Sequence, residues 1–141
     1  MNQDISNVNK ELKEKSPLEI IKWALNNSKN PLLTTNFRPY EAAIIDLCTK
    51  VKPEINILWC DTGYNTKAIY SYANKLISSM NLNIKLYVPL QTSAHRESFM
   101  GQVPEVDDPK HKEFTEQVKL EPFKRAMKEL KPDLWITNLR K

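Results

Sequence analysis

The sequence predicts an α/β domain: an open, mostly parallel sheet with helices on both faces. Three observations predict it. Short apolar runs of strand length alternate along the chain with longer stretches whose apolar residues recur at helical spacing. One run, Ile55 to Cys60, is largely apolar and bounded by turn signals, as a strand buried on both faces must be. Helix punctuation, from a capping box at Ser16 to the prolines at 39, 53 and 122, falls between the runs.

Residues 1–15 read as a flexible polar arm, and residues 16–141 as one domain. Ser16 caps a helix, Pro17 suits its first turn and Glu19 completes a capping box. Ile20, Trp23, Ala24 and Leu25 form its apolar face, and it fades at Asn26-Asn27-Ser28. Pro31 to Thr35 is a strand, and Phe37-Arg38-Pro39-Tyr40 is a turn. From Tyr40 to Val51 the residues Ala43, Ile44, Leu47, Cys48 and Val51 mark a helix that Pro53 stops. A strand to Cys60 follows, then a turn at Asp61-Thr62-Gly63-Tyr64, a helix from about Thr66 to Met80 and a strand from Ile84 to Val88. Ser93 to Met100 is a short helix, 101–113 a surface loop, Glu121 to Leu130 a helix begun by Pro122, and Leu134 to Thr137 the fourth strand. This alternation implies parallel strands joined by crossover helices.

Composition narrows the function. A net charge of +4, with Lys and Arg scattered, mildly favours an anionic ligand and gives no footprint for nucleic acid. No apolar stretch approaches the ~20 residues that span a bilayer, and the polar start resembles neither a signal nor a transit peptide, so the cytoplasm is expected. Two cysteines far apart in sequence suggest neither a disulfide scaffold nor a zinc site. Cys48 falls on an apolar helix face and Cys60 at the end of a buried strand, so both read as packing residues. His95 and His111 have no ligand partner at metal-binding spacing. Trp23, Trp59 and Trp135 are expected in the core, and Arg96 with Glu97 on a solvated face. With only Gly63 and Gly101 in the chain, a glycine-rich Rossmann or Walker loop is excluded.

In an open parallel sheet, ligands sit beyond the carboxyl ends of the strands. Two polar segments land there. Thr34, Thr35, Asn36, Phe37 and Arg38 follow the first strand and lead into a helix, where hydroxyls, an amide and free backbone N–H groups can hold an anion. Asp61, Thr62 and Gly63 follow the second strand, offering a carboxylate, a hydroxyl and a tight turn. The plain alternative for each is a solvated turn with a helix cap.

The residues of these segments carry a resemblance. Thr34 to Ala43 resembles the modified PP-loop of the phosphoadenylyl-sulfate (PAPS) reductases, which reads roughly Ser-x-Ser-Phe-Gly-x-x-x-Ala. Asp61-Thr62-Gly63-Tyr64 matches that family's Asp-Thr-Gly-Tyr. Val118-Lys119-Leu120-Glu121-Pro122 resembles its Lys-Val-Glu-Pro, and Trp135 to Lys141 its Trp-x-x-Gly-Leu-Arg-Arg. The four occur in the family's order over about residues 30–141. The resemblance implies an adenine nucleotide alpha hydrolase-like fold of PP-loop type and a sulfonucleotide ligand. It implies a site that includes Thr34, Thr35, Asn36, Arg38, Asp61, Thr62, Gly63, Lys119 and Arg140. Lys119 and Arg140 enter only through their motifs; read alone, each is a surface charge.

The family's reaction is nucleophilic. A cysteine thiolate attacks the sulfonate sulfur, the nucleotide leaves, and thioredoxin releases sulfite from the resulting thiosulfonate. The resemblance therefore implies a thioredoxin-dependent oxidoreductase of sulfate assimilation that yields sulfite and adenosine 3′,5′-bisphosphate. Thioredoxin or glutaredoxin is the partner, and a homodimer the assembly. Relatives that use adenylyl sulfate hold an iron–sulfur cluster partly through a cysteine pair before the Lys-Val-Glu-Pro motif. Thr115-Glu116 stands there, so no cluster is expected and the 3′-phosphorylated nucleotide is the implied substrate. The family's nucleophile lies in a later Glu-Cys-Gly-Leu-His motif, which this sequence lacks, so no catalytic residue is assigned and the chain alone is expected to be inactive. Arg38 replaces the loop glycine, and Asn138 the glycine before Leu139-Arg140. A guanidinium at 38 either contacts the anion or obstructs the loop, and contact is the favoured reading. Two other functions stay open: a non-catalytic adenine-nucleotide-binding module and an ATP-using PP-loop enzyme. The second is disfavoured by the absence of Ser-Gly-Gly-x-Asp-Ser.

Overall fold

Four short strands lie side by side in the order β3-β2-β1-β4, all parallel. They are β1 (Pro31–Thr35), β2 (Asn56–Cys60), β3 (Ile84–Tyr87) and β4 (Leu134–Ile136). The computed structural model describes residues 5–138. Thr35 pairs with Trp59 across β1 and β2, and Leu33 with Ile136 across β1 and β4. The chain runs from β1 to β2 to β3 in one direction and returns to the other side of β1 for β4. The order therefore reverses at β1, and the crevice such a reversal opens lies at the carboxyl ends of β1 and β4.

Alternation along the strands builds two apolar layers. Leu33, Ile57 and Trp59 face a core shared with α2 (Pro17–Asn26), α3 (Glu41–Val51) and α4 (Lys67–Met80). Leu32 and Leu58 face the opposite side, where α7 (Glu121–Leu130) packs through Phe123, Ala126, Met127 and Leu130. The expected parallel sheet with helices on both faces is the one observed.

Local signals explain most boundaries. The Ser16 side chain accepts the Glu19 N–H, and the Glu19 carboxylate accepts the Ser16 N–H at 2.9 Å. Thr66 and Thr92 cap α4 and α5 (Ser93–Met100) with the first half of that pattern only, their side chains accepting the Ile69 and His95 N–H groups. Asp133 fixes the entry to β4: its carboxylate accepts the Ser28 hydroxyl, the Lys29 N–H at 2.8 Å and the Asn30 N–H at 3.0 Å.

The structure corrects several expectations. Within the polar arm read at 1–15, α1 (Ile5–Leu12) is helical, because Ile5, Val8 and Leu12 form one stripe; none of its residues is buried. The loop read at 101–113 ends early. α6 (His111–Thr115) begins there and continues through a π-helical segment, Glu116–Leu120, directly into α7. Ile21 and Leu25 form the buried face of α2, with Ile20, Trp23 and Ala24 half-buried around them. In α3 the buried residues are Glu41, Ile45 and Cys48, whereas Ala43 is exposed. Trp135 is 46% exposed rather than core, because β4 is an edge strand. No helix among the described residues is long and apolar enough to cross a membrane.

Candidate functional site

β1 delivers Thr34 and Thr35 to the carboxyl edge of the sheet, and residues 36–40 turn the chain into α3. The centre of this turn is a carboxylate. Glu41 Oε2 accepts the Thr35 hydroxyl at 2.8 Å, the Asn36 N–H at 2.7 Å and the Arg38 N–H at 3.3 Å. Thr35 Oγ1 in turn accepts the Phe37 N–H at 3.0 Å. Phe37 adopts a left-handed conformation, φ 54°, which a bulky residue rarely does. Its ring holds it there, fully buried and edge-on to Trp59 with centroids 4.9 Å apart.

The sequence leaves the backbone N–H groups of this turn open for an anion. The structure instead commits the amides of Asn36, Phe37 and Arg38 to Glu41 and Thr35. The Thr34 hydroxyl is also engaged: it accepts Trp135 Nε1–H at 3.0 Å and lies 3.5 Å from the Ile136 carbonyl, tying β1 to β4. What remains for a ligand are the side chains of Asn36 and Arg38, both exposed. The Arg38 guanidinium forms no ion pair among the described residues.

On the adjacent strand, Asp61 organises the second turn. Its Oδ1 accepts the Gly63 N–H at 3.0 Å, the Asn65 amide at 2.8 Å and the Tyr70 hydroxyl at 2.9 Å. Burial and that bond to Asp61 hold the Tyr70 phenol above its ordinary range. Thr62 Oγ1 accepts the Tyr64 N–H at 3.3 Å. Gly63 sits at φ 79°, a conformation that suits glycine. Seven of the nine residues expected in the site, Thr34, Thr35, Asn36, Arg38, Asp61, Thr62 and Gly63, thus stand at the carboxyl ends of two neighbouring parallel strands and in the turns that follow. Lys119 is exposed on the π-helical segment and joins neither turn by a hydrogen bond or ion pair. Arg140 lies outside the described residues.

Two residues with structural authority here were not singled out for it by sequence. Glu41 reads as an ordinary acid in a first helical turn, and only its burial, 9% exposed, reveals the inward carboxylate. Arg96, expected on a solvated face, is 3% exposed and donates to the Tyr64 hydroxyl from Nε at 2.9 Å. Neither cysteine is primed as a nucleophile. Burial pushes the Cys48 thiol up to about 11, and burial, partly offset by Arg125, pushes Cys60 up to about 11.

A parallel sheet covered on both faces, with polar turns at the carboxyl ends of its central strands, is an open α/β fold, and its structural matches put it in the PP-loop, adenine nucleotide alpha hydrolase-like class. Within that class the chain belongs to the phosphoadenosine phosphosulfate reductase domain family, whose pattern it matches over residues 30–141. It is 30% identical over 139 residues to a phosphoadenosine 5′-phosphosulfate reductase of Synechococcus sp., covering 97% of this chain and 60% of that protein. It is 31% identical over 140 residues to the Synechocystis sp. protein of that name, covering 98% of this chain and 56% of the relative. The chain thus spans 56–60% of the length of these curated relatives. Among solved structures it resembles a PAPS reductase from Candida auris, crystallised as a phosphate complex. That match has a TM-score of 0.87 and 26% identity, and covers 100% of this chain and 69% of the other. An NH3-dependent NAD synthetase from Campylobacter jejuni shares the fold at a TM-score of 0.51 and 16% identity, over 88% of this chain and 52% of that one.

Proposed function

We propose that the chain is the sulfonucleotide-binding core of a thioredoxin-dependent PAPS reductase. The observation that carries this reading is the pairing of the Thr34–Arg38 turn with the Asp61–Gly63 turn on adjacent strands, beside the reversal of strand order. In the proposed complex, Arg38 and Asn36 supply the anion contacts that the loop amides, held by Glu41, do not. The Asp61 turn frames the nucleoside, and Lys119 and Arg140 add positive charge for the phosphates. Thr34 and Thr35 shape the loop from within.

The whole protein's reaction follows from the family. A thiolate attacks the sulfonate sulfur and the sulfur–oxygen bond to the nucleotide breaks. Adenosine 3′,5′-bisphosphate leaves, and the thiol of reduced thioredoxin or glutaredoxin displaces sulfite from the thiosulfonate. This chain's contribution is to bind and orient the nucleotide, since both of its thiols are held protonated at neutral pH. The same reading carries a homodimer and a cytoplasmic location. Thr115 and Glu116 offer no thiolates for a cluster, which supports the 3′-phosphorylated substrate.

Calorimetric titration with adenosine 3′,5′-bisphosphate and with AMP tests the proposal. The bisphosphate is expected to bind more tightly, because its extra phosphate adds charge-assisted contacts. Equal affinity, or no binding of either, contradicts it.

A further inference from the structure

A second candidate site surrounds Arg96, on the β3 side of the sheet and two strands away from the β1 turn. Arg96 is 3% exposed, yet no carboxylate lies within ion-pair distance of its guanidinium among the described residues. Nε and one terminal nitrogen donate to the Tyr64 hydroxyl. The charge lies 4.5 Å from the Phe114 ring centre and 5.1 Å from that of Tyr64. Aromatic faces and a neutral hydroxyl stabilise a buried cation only in part, and buried charges are ordinarily paired with an opposite charge.

Arg96 lines a cavity of about 330 Å³ between the turn after β3 and the long helical rod that begins at α6. Pro89, Leu90 and Val118 give it apolar walls. Its two acids are already matched, Glu116 to Lys124 at 2.6 Å and Glu121 to Arg125 at 2.8 Å. A second unmatched polar group belongs to a residue that lines the same space. Gln117 donates from Nε2 to Glu113 at 3.2 Å, which fixes the orientation of its amide, and leaves Oε1 buried with no partner. The cavity therefore presents one uncompensated cation and one orphaned acceptor.

We infer that this cavity is a binding site for a small oxyanion that also carries one hydrogen-bond donor. The guanidinium takes the negative charge and Gln117 Oε1 takes the donor. Hydrogen phosphate meets both requirements. Sulfate, of similar size and charge, has no proton to give at neutral pH and leaves Gln117 unmatched. The inference rests on Arg96 and Gln117 and needs no contact from the β1 turn, although Arg96 is held by Tyr64, the residue that follows the Asp61–Gly63 turn.

The test is calorimetric titration of the chain with inorganic phosphate and with sulfate, run on the wild type and on Arg38→Gly, which removes the exposed cation of the β1 turn. In Arg38→Gly, phosphate is expected to bind roughly tenfold more tightly than sulfate, the usual effect of leaving a buried acceptor unpaired. Gln117→Met should bring the two anions to equal affinity, and Arg96→Gln should abolish binding of both. If Arg96→Gln does not fold, Gln117→Met in the Arg38→Gly background decides. Equal affinities before Gln117 is changed overturn the inference. So do phosphate binding that disappears in Arg38→Gly while surviving Arg96→Gln, and no measurable phosphate binding in either protein.

Discussion

The Glu41 carboxylate accepts the Thr35 hydroxyl at 2.8 Å, and around that bond the whole β1 turn is assembled. The same oxygen holds the amides of Asn36 and Arg38, so a side chain of α3 occupies the place where a loop of this kind offers its backbone to an anion.

Removing that carboxylate should loosen the turn. Glu41→Ala leaves a buried hydroxyl and two amides without their acceptor and is expected to cost about 2–3 kcal/mol of folding stability, as losses of hydrogen bonds to charged groups do. Glu41→Gln keeps an acceptor oxygen and should cost less. Urea denaturation of the three proteins checks this. Equal stability of Glu41→Ala and wild type contradicts the role given to the carboxylate.

Burial of the thiols makes a prediction about pH. Cys48 and Cys60 ionise at about 11 in the folded protein, against an ordinary value of 9.0. A raised thiol pKa favours the folded state fully below the unfolded value, and the benefit is lost as pH rises from about 9 through about 11. Denaturation midpoints should therefore fall more steeply in that window for wild type than for a variant with alanine at both positions. Iodoacetamide should label both thiols far more slowly than glutathione at neutral pH. With PAPS and reduced thioredoxin this chain should release no sulfite. Turnover that vanishes on Cys60→Ala contradicts the inert reading of that thiol.

Asp133 makes the opposite prediction at the acid end. Hydrogen bonds from Ser28, Lys29 and Asn30 lower its pKa below the ordinary 3.8. Its contribution is therefore present above that value and lost as pH falls through the depressed one. Asp133→Asn should melt lower than wild type at neutral pH, and the gap should close on acidification. A gap that persists unchanged in acid contradicts this account of the clamp.

The legible parts of this molecule are those where one local signal decides. Ile55 to Cys60 reads as a buried strand because it faces a helical layer on each side, and Ser16 with Glu19 reads as a helix start because the capping box needs no distant partner. What stayed hidden depends on contacts far apart in sequence. Arg96 looks like a solvated charge until Tyr64 and Phe114 close over it, 32 and 18 positions away in sequence. Trp135 looks like core until its edge strand exposes it and Thr34 takes its N–H. The start of α6 was hidden because residues 111–120 hold just three large apolar residues, Phe114, Val118 and the exposed Leu120. The two turns of the site were legible as positions, at the ends of strands, and not as hydrogen-bonding states. Nothing in the sequence shows that Glu41 has already claimed the amides of the first.

Because those amides are claimed, the proposed anion binding at the β1 turn rests on the side chains of Arg38 and Asn36, and the Arg38 contact is the claim to test most directly. Adenosine 3′,5′-bisphosphate should be titrated calorimetrically into the wild type and Arg38→Gly, with thermal melts of both. Loss of the guanidinium is expected to weaken binding by about 1–3 kcal/mol, the usual cost of deleting a charged hydrogen-bonding partner. The melting temperature should hardly change, because Arg38 is exposed and buries no core. Equal or tighter binding by the glycine variant would contradict the account and make Arg38 an obstruction in the loop.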